Sequence, residues 1–167
     1  WKIMQFTESF TPLHSIQQKL TGLSYAELHQ IQQGKWNILQ HLYHCWMVER
    51  GVLAYIKLKT QDPSALAPVT VVTFLKFAFF FASLRLGILK IKAPEVVQKF
   101  PIKMSTVDLI SRWEKTRKEA DDFFLEFPAH LAKKGIFRHM FIGRLNKTLT
   151  QKFIRLHLRH HLRLCRL

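Results

Sequence analysis

Two histidines, spaced four residues apart near the end of the chain, offer nitrogen ligands for a metal ion. In the segment FIRLHLRHHLRLCRL, residues 153 to 167, His157 and His161 follow an H-x3-H spacing. At 3.6 residues per turn, this spacing places both imidazoles on one face of a helix, within reach of a single ion. They share that face with apolar residues such as Ile154, whereas the arginines gather on the opposite side. We therefore expect both imidazoles to face the protein interior.

A third inward-facing imidazole comes from an earlier helical segment, residues 36 to 59, which contains His41 and His44. Three buried imidazoles without partners would leave several donors and acceptors unsatisfied, at about 1 to 3 kcal/mol each. A divalent cation would use all three lone pairs. From the residues alone a metal site is one of two interpretations, the other being structural core histidines, and His41 and His44 are alternatives for the third ligand.

The composition is that of one globular domain, which we assign to residues 1 to 167. The chain is 48% hydrophobic and 22% charged, and no linker or repeat divides it. Two cysteines, Cys45 and Cys165, are too few for a disulfide framework and favour a reducing, cytoplasmic setting. The opening residues, WKIMQFTESF, lack the features of a secretory signal.

The net charge of +15 allows a different class of function. A strongly basic surface attracts polyanions, so the alternative is a non-catalytic helical protein that binds nucleic acid or an acidic partner, with a structural metal or none. Its contacts would come from the exposed face of the last helix, at Arg155, Arg159 and Arg163. The aromatic residues, however, are interleaved with aliphatic ones at helical spacing, which favours a core over base-stacking platforms.

The hydrophobic periodicity predicts an all-α domain with four main helices. Almost no stretch alternates with period two, so we expect residues 135 to 145 to form a loop rather than a sheet. Ser24, Ser105 and Asn146 are predicted helix caps. The predicted helices span residues 11 to 20, a short segment from 24, and residues 36 to 59, 69 to 89, 106 to 127 and a last helix after 146.

The apolar run of residues 69 to 89 is long enough to cross a bilayer. Lys76 and Arg85 lie inside it, and each would cost several kcal/mol near the bilayer centre. We therefore expect a heavily buried helix and no membrane span. Residues 90 to 104 contain Pro94 and Pro101 and are predicted to form a crossover linker.

Two blocks of sequence resemble the DinB/YfiT-like superfamily of metalloenzymes. KWNILQHLYHCWMVE resembles that family's KWS-(x)6-7-H-(x)4-E helix, and FRHMFIGRLNKTLTQKFIRLHLRHHLRL resembles its FRHP-(x)2-G-x-L segment with H-x2-HH-x2-Q. The resemblance implies a four-helix bundle with a long crossover, in the order up-down-down-up. It also implies a single divalent metal ion, with His44, His157 and His161 as the ligands.

The resemblance leaves several neighbouring residues with open roles. His41 is the rival of His44 on the same helix. Cys165 is either a fourth, softer ligand that would close the site or a small core residue. Hydrogen-bonding partners for the imidazoles could come from several further side chains, which are Glu49, Tyr55, His139, His160 and His41 itself. Met140, Asn37 and Leu164 depart from the family pattern, which has proline, serine and glutamine there.

The resemblance also implies a type of chemistry. Characterised members of the superfamily are transferases and isomerases that activate a low-molecular-weight thiol such as bacillithiol or mycothiol, and others are hydrolases. We therefore expect a small-molecule substrate, Zn²⁺ or Ni²⁺ as the metal and a thiol or water as the activated species. Members of the family often form homodimers.

Overall fold

The computed structural model describes residues 10–31, 36–89, 91, 95, 98–101, 103 and 105–167. It is mostly helical, with one small sheet. The helices are α1 (Leu13–Thr21), α2 (Tyr25–His29), α3 (Ile38–Lys59), α4 (Val71–Arg85), α5 (Thr106–Leu125) and α6 (Lys147–Leu164). The strands are β1 (Phe137–His139) and β2 (Gly143–Leu145), and short 3₁₀ turns span Pro63–Ala65 and Ala129–Leu131.

The predicted helix caps are confirmed. The Ser24 hydroxyl accepts a hydrogen bond from the backbone N–H of Glu27, whose carboxylate accepts one in return from the Ser24 backbone. Ser105 caps α5 and Asn146 caps α6 in the same way, each through a side-chain oxygen that accepts a backbone N–H three residues later. These bonds satisfy amide groups that have no partner inside the helix, and they fix where each helix begins.

Helix α3 lies at the centre of the fold. It packs against α5 on one side and α6 on the other, while α1 packs on α5 and α4 packs on α6 and β2. Its buried side chains contribute to two core clusters. One is built around Ile56 and Phe124, and the second is built around Leu42, Trp113 and Leu158. The inward faces of α3 and α6 therefore meet over most of their length.

A buried ion pair joins α3 to α5. Arg117 donates through Nε and Nη2 to the two carboxylate oxygens of Glu49, each at 3.1 Å, and the Trp113 indole N–H donates to the same carboxylate at 2.7 Å. Arg117 also donates to the Thr11 carbonyl oxygen at 2.7 Å. Both charges are thus matched by hydrogen bonds, as burial requires.

The prediction of a loop at residues 135 to 145 is wrong, since these residues form an antiparallel hairpin. Phe137 pairs with Leu145 and His139 with Gly143. Gly143, at φ +97°, takes the left-handed backbone conformation that favours glycine. Strands of three residues are too short to show alternating hydropathy.

The prediction that residues 69 to 89 form a heavily buried helix is also wrong. Helix α4 is shorter and buries only four of its residues, which are Thr73, Phe77, Phe80 and Ser83. Its outer face exposes large apolar side chains, among them Phe79 at 71% and Leu75 at 66%. The sequence of a helix with apolar residues on every side shows that the helix is hydrophobic. It does not show which sides pack against a neighbour.

Within the described part of the chain, no helix combines the length and the hydrophobicity needed to cross a membrane. The predicted crossover at residues 90 to 104 and the opening segment lie largely outside the described residues.

Candidate metal centre

The site begins at the capped start of α3. The Asn37 side chain accepts the Gln40 backbone N–H, and the Gln40 side chain accepts the Asn37 N–H, both at 2.9 Å. Asparagine thus performs here the capping role for which serine is also suited. This cap starts the helix so that His41 and His44 lie in its first two turns and face α6. Both are buried, at 4% and 3% exposure.

The structure brings together one imidazole of α3 and two of α6. His44, His157 and His161 each offer a nitrogen, and these three atoms lie within 4.8 Å of one another. Nε2 of His44 lies 3.2 Å from Nε2 of His157. His44 and His161 are buried, and His157 is half-buried. The ligand set implied by the family resemblance therefore converges at one point of the α3–α6 interface.

This donor set fits a divalent metal ion. Tetrahedral coordination with bonds of about 2.0 to 2.1 Å separates neighbouring nitrogens by roughly 3.3 Å, close to the spacing of the His44 and His157 nitrogens. Two imidazole lone pairs that face each other repel unless a proton or a cation lies between them. A cation would use both, together with the lone pair of His161.

Burial keeps the rings of α6 uncharged. Loss of solvent, assisted by the neighbouring imidazoles, holds the pKa of His157 and of His161 well below the ordinary value of 6.5. Neutral rings have a free lone pair at neutral pH, so no proton has to be displaced before a cation binds. The pocket is therefore organised for a cation and not for a cluster of imidazolium ions.

His41 contacts the same group from its edge. Its Nδ1 lies 2.9 Å from Nδ1 of His161, and its own Nε2 is buried without a hydrogen-bond partner among the described residues. Burial, followed by the charges of neighbouring histidines, lowers the pKa of His41 to about 4. The contact with His41 occupies Nδ1 of His161 and leaves Nε2 of that ring available as a ligand atom.

Aromatic rings enclose the imidazoles on two sides. The Trp36 ring lies 4.9 Å from that of His44 and 5.3 Å from that of His41, and its far side contacts Phe100. Phe153 lies 5.6 Å from His157 on the other side. The sequence did not predict this contact of Trp36. The signal was its place just before the Asn37 cap, where the chain enters α3.

The other residues that were predicted to hydrogen-bond the imidazoles lie apart from the three rings or at their edge. Both carboxylate oxygens of Glu49 bond to α5, and Tyr55 packs edge-on against Phe137 at 5.6 Å. The ring of His160 lies 5.3 Å from that of His161. His139 lies beyond Phe153, with ring centroids 4.8 Å apart.

Cys165 lies in the second core cluster, with apolar residues of α1 and α5 around it. Its side chain is buried, and burial raises the pKa of the thiol to about 12. The group of potential metal ligands found among the described residues does not include it. The environment is that of a small core residue, which was one of the two alternatives that the sequence left open.

One of the comparisons with known proteins identifies a family. The family model described as the DinB superfamily matches residues 13–165, which covers both histidine-bearing helices. No curated protein and no solved structure matches the chain significantly.

Proposed function

The chain belongs to the DinB superfamily, and on this basis we propose that it is a divalent-metal-dependent enzyme that activates a low-molecular-weight thiol. The observation that carries the proposal is the convergence of His44, His157 and His161 from two helices. Proteins of this family typically bind metal, and three neutral imidazoles are a donor set suited to Zn²⁺ or Ni²⁺. Catalytic sites of this kind use three protein ligands and keep a further position open.

The bound ion would supply Lewis acidity, which turns a thiol or a water molecule into a nucleophile at neutral pH. The residues of the chain position the ligands and limit the access of water. The helix cap at Asn37 fixes the start of α3, and with it the position of His44. His41 holds the ring of His161 through the Nδ1 contact. Trp36 and Phe153 restrict access of water to the imidazoles, which strengthens the electrostatic interactions among them.

The thiol hypothesis predicts a measurable release of protons. A free thiol, with a pKa of about 8.5, is largely protonated at pH 7, and a metal ligand must be deprotonated. Adding bacillithiol, glutathione or cysteine to the metal-loaded protein in weak buffer should release close to one proton per site for the thiol that fits. His157→Ala should release none, and Arg159→Ala, altered on the exposed face of the same helix, should behave like the unaltered protein.

The titration distinguishes a thiol from water as the activated species. Proton release that EDTA abolishes supports the thiol. A fully metal-loaded protein that releases no proton with any of the three thiols would contradict the thiol as co-substrate, and would favour water and a hydrolase. Release that survives His157→Ala would show that the thiol ionises elsewhere.

Three further features of the family form part of the proposal. The four long helices α3 to α6 would follow the up-down-down-up order with a long crossover, the substrate would be a small molecule, and the protein would form a homodimer. A reducing, cytoplasmic setting is also part of the proposal, and it is supported by the small number of cysteines, which are Cys45 and Cys165.

A further inference from the structure

The outer face of α4 continues into the hairpin turn as one apolar surface. We call it the α4 face, and it consists of Val71, Val72, Phe74, Leu75, Phe79, Leu86, Met140 and Phe141, all exposed between 47% and 74%. The ring of Phe141 stacks on that of Phe80 at 5.8 Å, which holds the turn against α4. These side chains present on the order of 800 Å² of apolar surface, against about 300 to 600 Å² for the largest patch of a typical monomer.

A groove runs between α4 and the hairpin turn, along one side of the α4 face. Its volume is about 250 Å³, and it is lined by Lys76, Phe79, Phe80, Leu89, Ile91 and Phe141. Five of these six residues are apolar, and the sixth ends in an ammonium group. The shape suits an apolar chain with a negative charge at its end.

Two long segments of the sequence contain no acidic residue. None occurs between Pro63 and Ala93, a segment with four lysines and arginines, or between Phe127 and Leu167, a segment with ten. These segments supply α4, the hairpin and α6, whereas α5 carries five of the eleven acidic residues. The segments that form the α4 face are therefore cationic and contain no acidic residue, whereas α5 carries both signs of charge.

The hairpin, whose strand β2 contacts α4, carries exposed cations. Arg138 and Arg144 are exposed and directly opposite each other across the hairpin, and like charges in that position destabilise a sheet. The carbonyl of Lys133, also exposed, accepts the Val69 N–H just before α4 begins. An anionic partner would offset the repulsion between the two arginines.

We propose that the α4 face docks on the surface of an anionic lipid bilayer. Apolar side chains would enter the boundary between headgroups and acyl chains, and Lys76, Arg138 and Arg144 would contact negatively charged headgroups. The helix lies on the membrane in this arrangement and does not cross it. The inference is independent of the metal site, which lies at the α3–α6 interface.

The charges distinguish this partner from two others. A second copy of the chain would bring two cationic, acid-free surfaces together, which electrostatic repulsion opposes. A nucleic acid would satisfy the cations but would gain little from Val71 or Leu75, since aliphatic side chains offer no stacking surface for bases. Of these three partners, a lipid surface is the one that matches both the apolar side chains and the cationic residues.

The test is co-sedimentation with vesicles of phosphatidylcholine alone and with one quarter phosphatidylglycerol, at low and moderate salt. The protein should bind the anionic vesicles at least ten-fold more tightly, and salt should weaken this binding. Phe79→Asp and Leu75→Asp should each reduce it at least ten-fold. Both residues are exposed, so these variants should fold, and circular dichroism checks this. Leu58→Asp and Leu125→Asp are matched controls on α3 and α5, with 64% and 62% exposure, and should change binding less than two-fold.

Two further variants test the contribution of the hairpin cations Arg138 and Arg144. Arg138→Gln and Arg144→Gln should each lower the affinity for anionic vesicles roughly five-fold, the effect expected of one basic residue near such a surface. Arg112→Gln and Lys115→Gln, exposed on α5, are the controls and should have little effect.

Each of the following results would overturn the proposal. They are no binding to either vesicle, equal binding to both, binding that survives Phe79→Asp, and a dimer in sedimentation equilibrium that Phe79→Asp dissociates while vesicle binding is absent. The last result would assign the α4 face to a second copy. Binding to RNA that Arg138→Gln weakens and Phe79→Asp leaves intact, without vesicle binding, would assign the cations to nucleic acid and equally contradict the lipid surface.

Discussion

Nδ1 of His41 lies 2.9 Å from Nδ1 of His161, although 120 residues separate the two histidines in the sequence. The contact joins the first turns of α3 to the last turns of α6. A histidine that binds a metal through one nitrogen usually donates its other N–H to an acceptor, which fixes the tautomer and the orientation of the ring. We infer that His161 donates to His41 and is thereby oriented toward the other two imidazoles.

This role predicts different effects for two substitutions of His41. His41→Leu removes the acceptor and should weaken metal affinity by about 10-fold to 100-fold, the usual effect of losing such a partner. His41→Asn places an amide oxygen near the position of Nδ1 and should retain most of the affinity. Competition with a chromophoric chelator measures both. Equal affinity in the two variants would contradict a positioning role, and complete loss of the ion in both would make His41 a ligand itself.

His139 should make stability depend on pH. Its Nδ1 accepts the backbone N–H groups of Phe141 and Ile142, both at 3.3 Å, and burial lowers its pKa from 6.5 to about 4. The unfolded chain therefore binds a proton near pH 6.5, whereas the folded ring stays neutral until about pH 4. The contribution is complete above pH 6.5 and is lost progressively as the pH falls toward 4.

The matched variant for this prediction is His139→Asn, which keeps an acceptor but does not titrate. Urea unfolding of the chelator-treated proteins at pH 7 and pH 5 should show a loss of stability that is smaller in the variant by about 2 kcal/mol. The buried histidines of the site are present in both proteins, so their contribution cancels. An identical loss in both proteins would show that His139 keeps an ordinary pKa.

The buried pair of Glu49 and Arg117 predicts a large loss of stability when one charge is removed. Glu49→Gln leaves the guanidinium without its counter-charge and should lower the free energy of unfolding by about 3 kcal/mol. Glu119→Gln, which breaks the exposed pair with Lys57, is the control and should cost less than about 1 kcal/mol. Replacing both members of the buried pair by leucine and methionine should recover much of the loss. Equal effects of Glu49→Gln and Glu119→Gln in urea denaturation would contradict this prediction.

Two glycines should respond to alanine with opposite signs. Gly51 lies within α3 with nothing within 4 Å of an added Cβ, so Gly51→Ala should stabilise the protein by about 0.5 to 1 kcal/mol. At Gly135 an added Cβ would lie 2.6 Å from the Arg144 Cβ and 3.3 Å from the Ala67 carbonyl oxygen. Gly135→Ala should therefore destabilise by about 1 to 3 kcal/mol. Thermal unfolding of both variants tests this, and a shift of the same sign in both would contradict the packing described around Gly135.

The features that the sequence predicted correctly are mostly local ones. The caps at Ser24, Ser105 and Asn146 were predictable because each bond joins residues three apart. The inward direction of His157 and His161 followed from helical periodicity alone. The choice of His44 over His41 as a ligand came from the family resemblance, because both lie on the inward side of α3, and it stays a prediction.

The features that the sequence did not reveal depend on neighbours distant in the chain. The His41 contact requires knowing how α3 and α6 are rotated against each other, and the enclosure by Trp36 and Phe153 requires the same information. The exposure of α4 depends on which of its sides has a partner, and its uniform hydropathy does not encode that. The sequence did not predict the hairpin because its strands have only three residues each.

If His44, His157 and His161 share one divalent ion, the metal content of the protein must depend on each of them. Elemental analysis measures this content after removal of metal by a chelator, reloading with Zn²⁺ and gel filtration. We expect one ion per chain in the unaltered protein and in His14→Ala, an exposed control on α1, and almost none in His44→Ala or His157→Ala. Far less than one ion per chain in the unaltered protein, or a full complement in His44→Ala, would contradict this expectation.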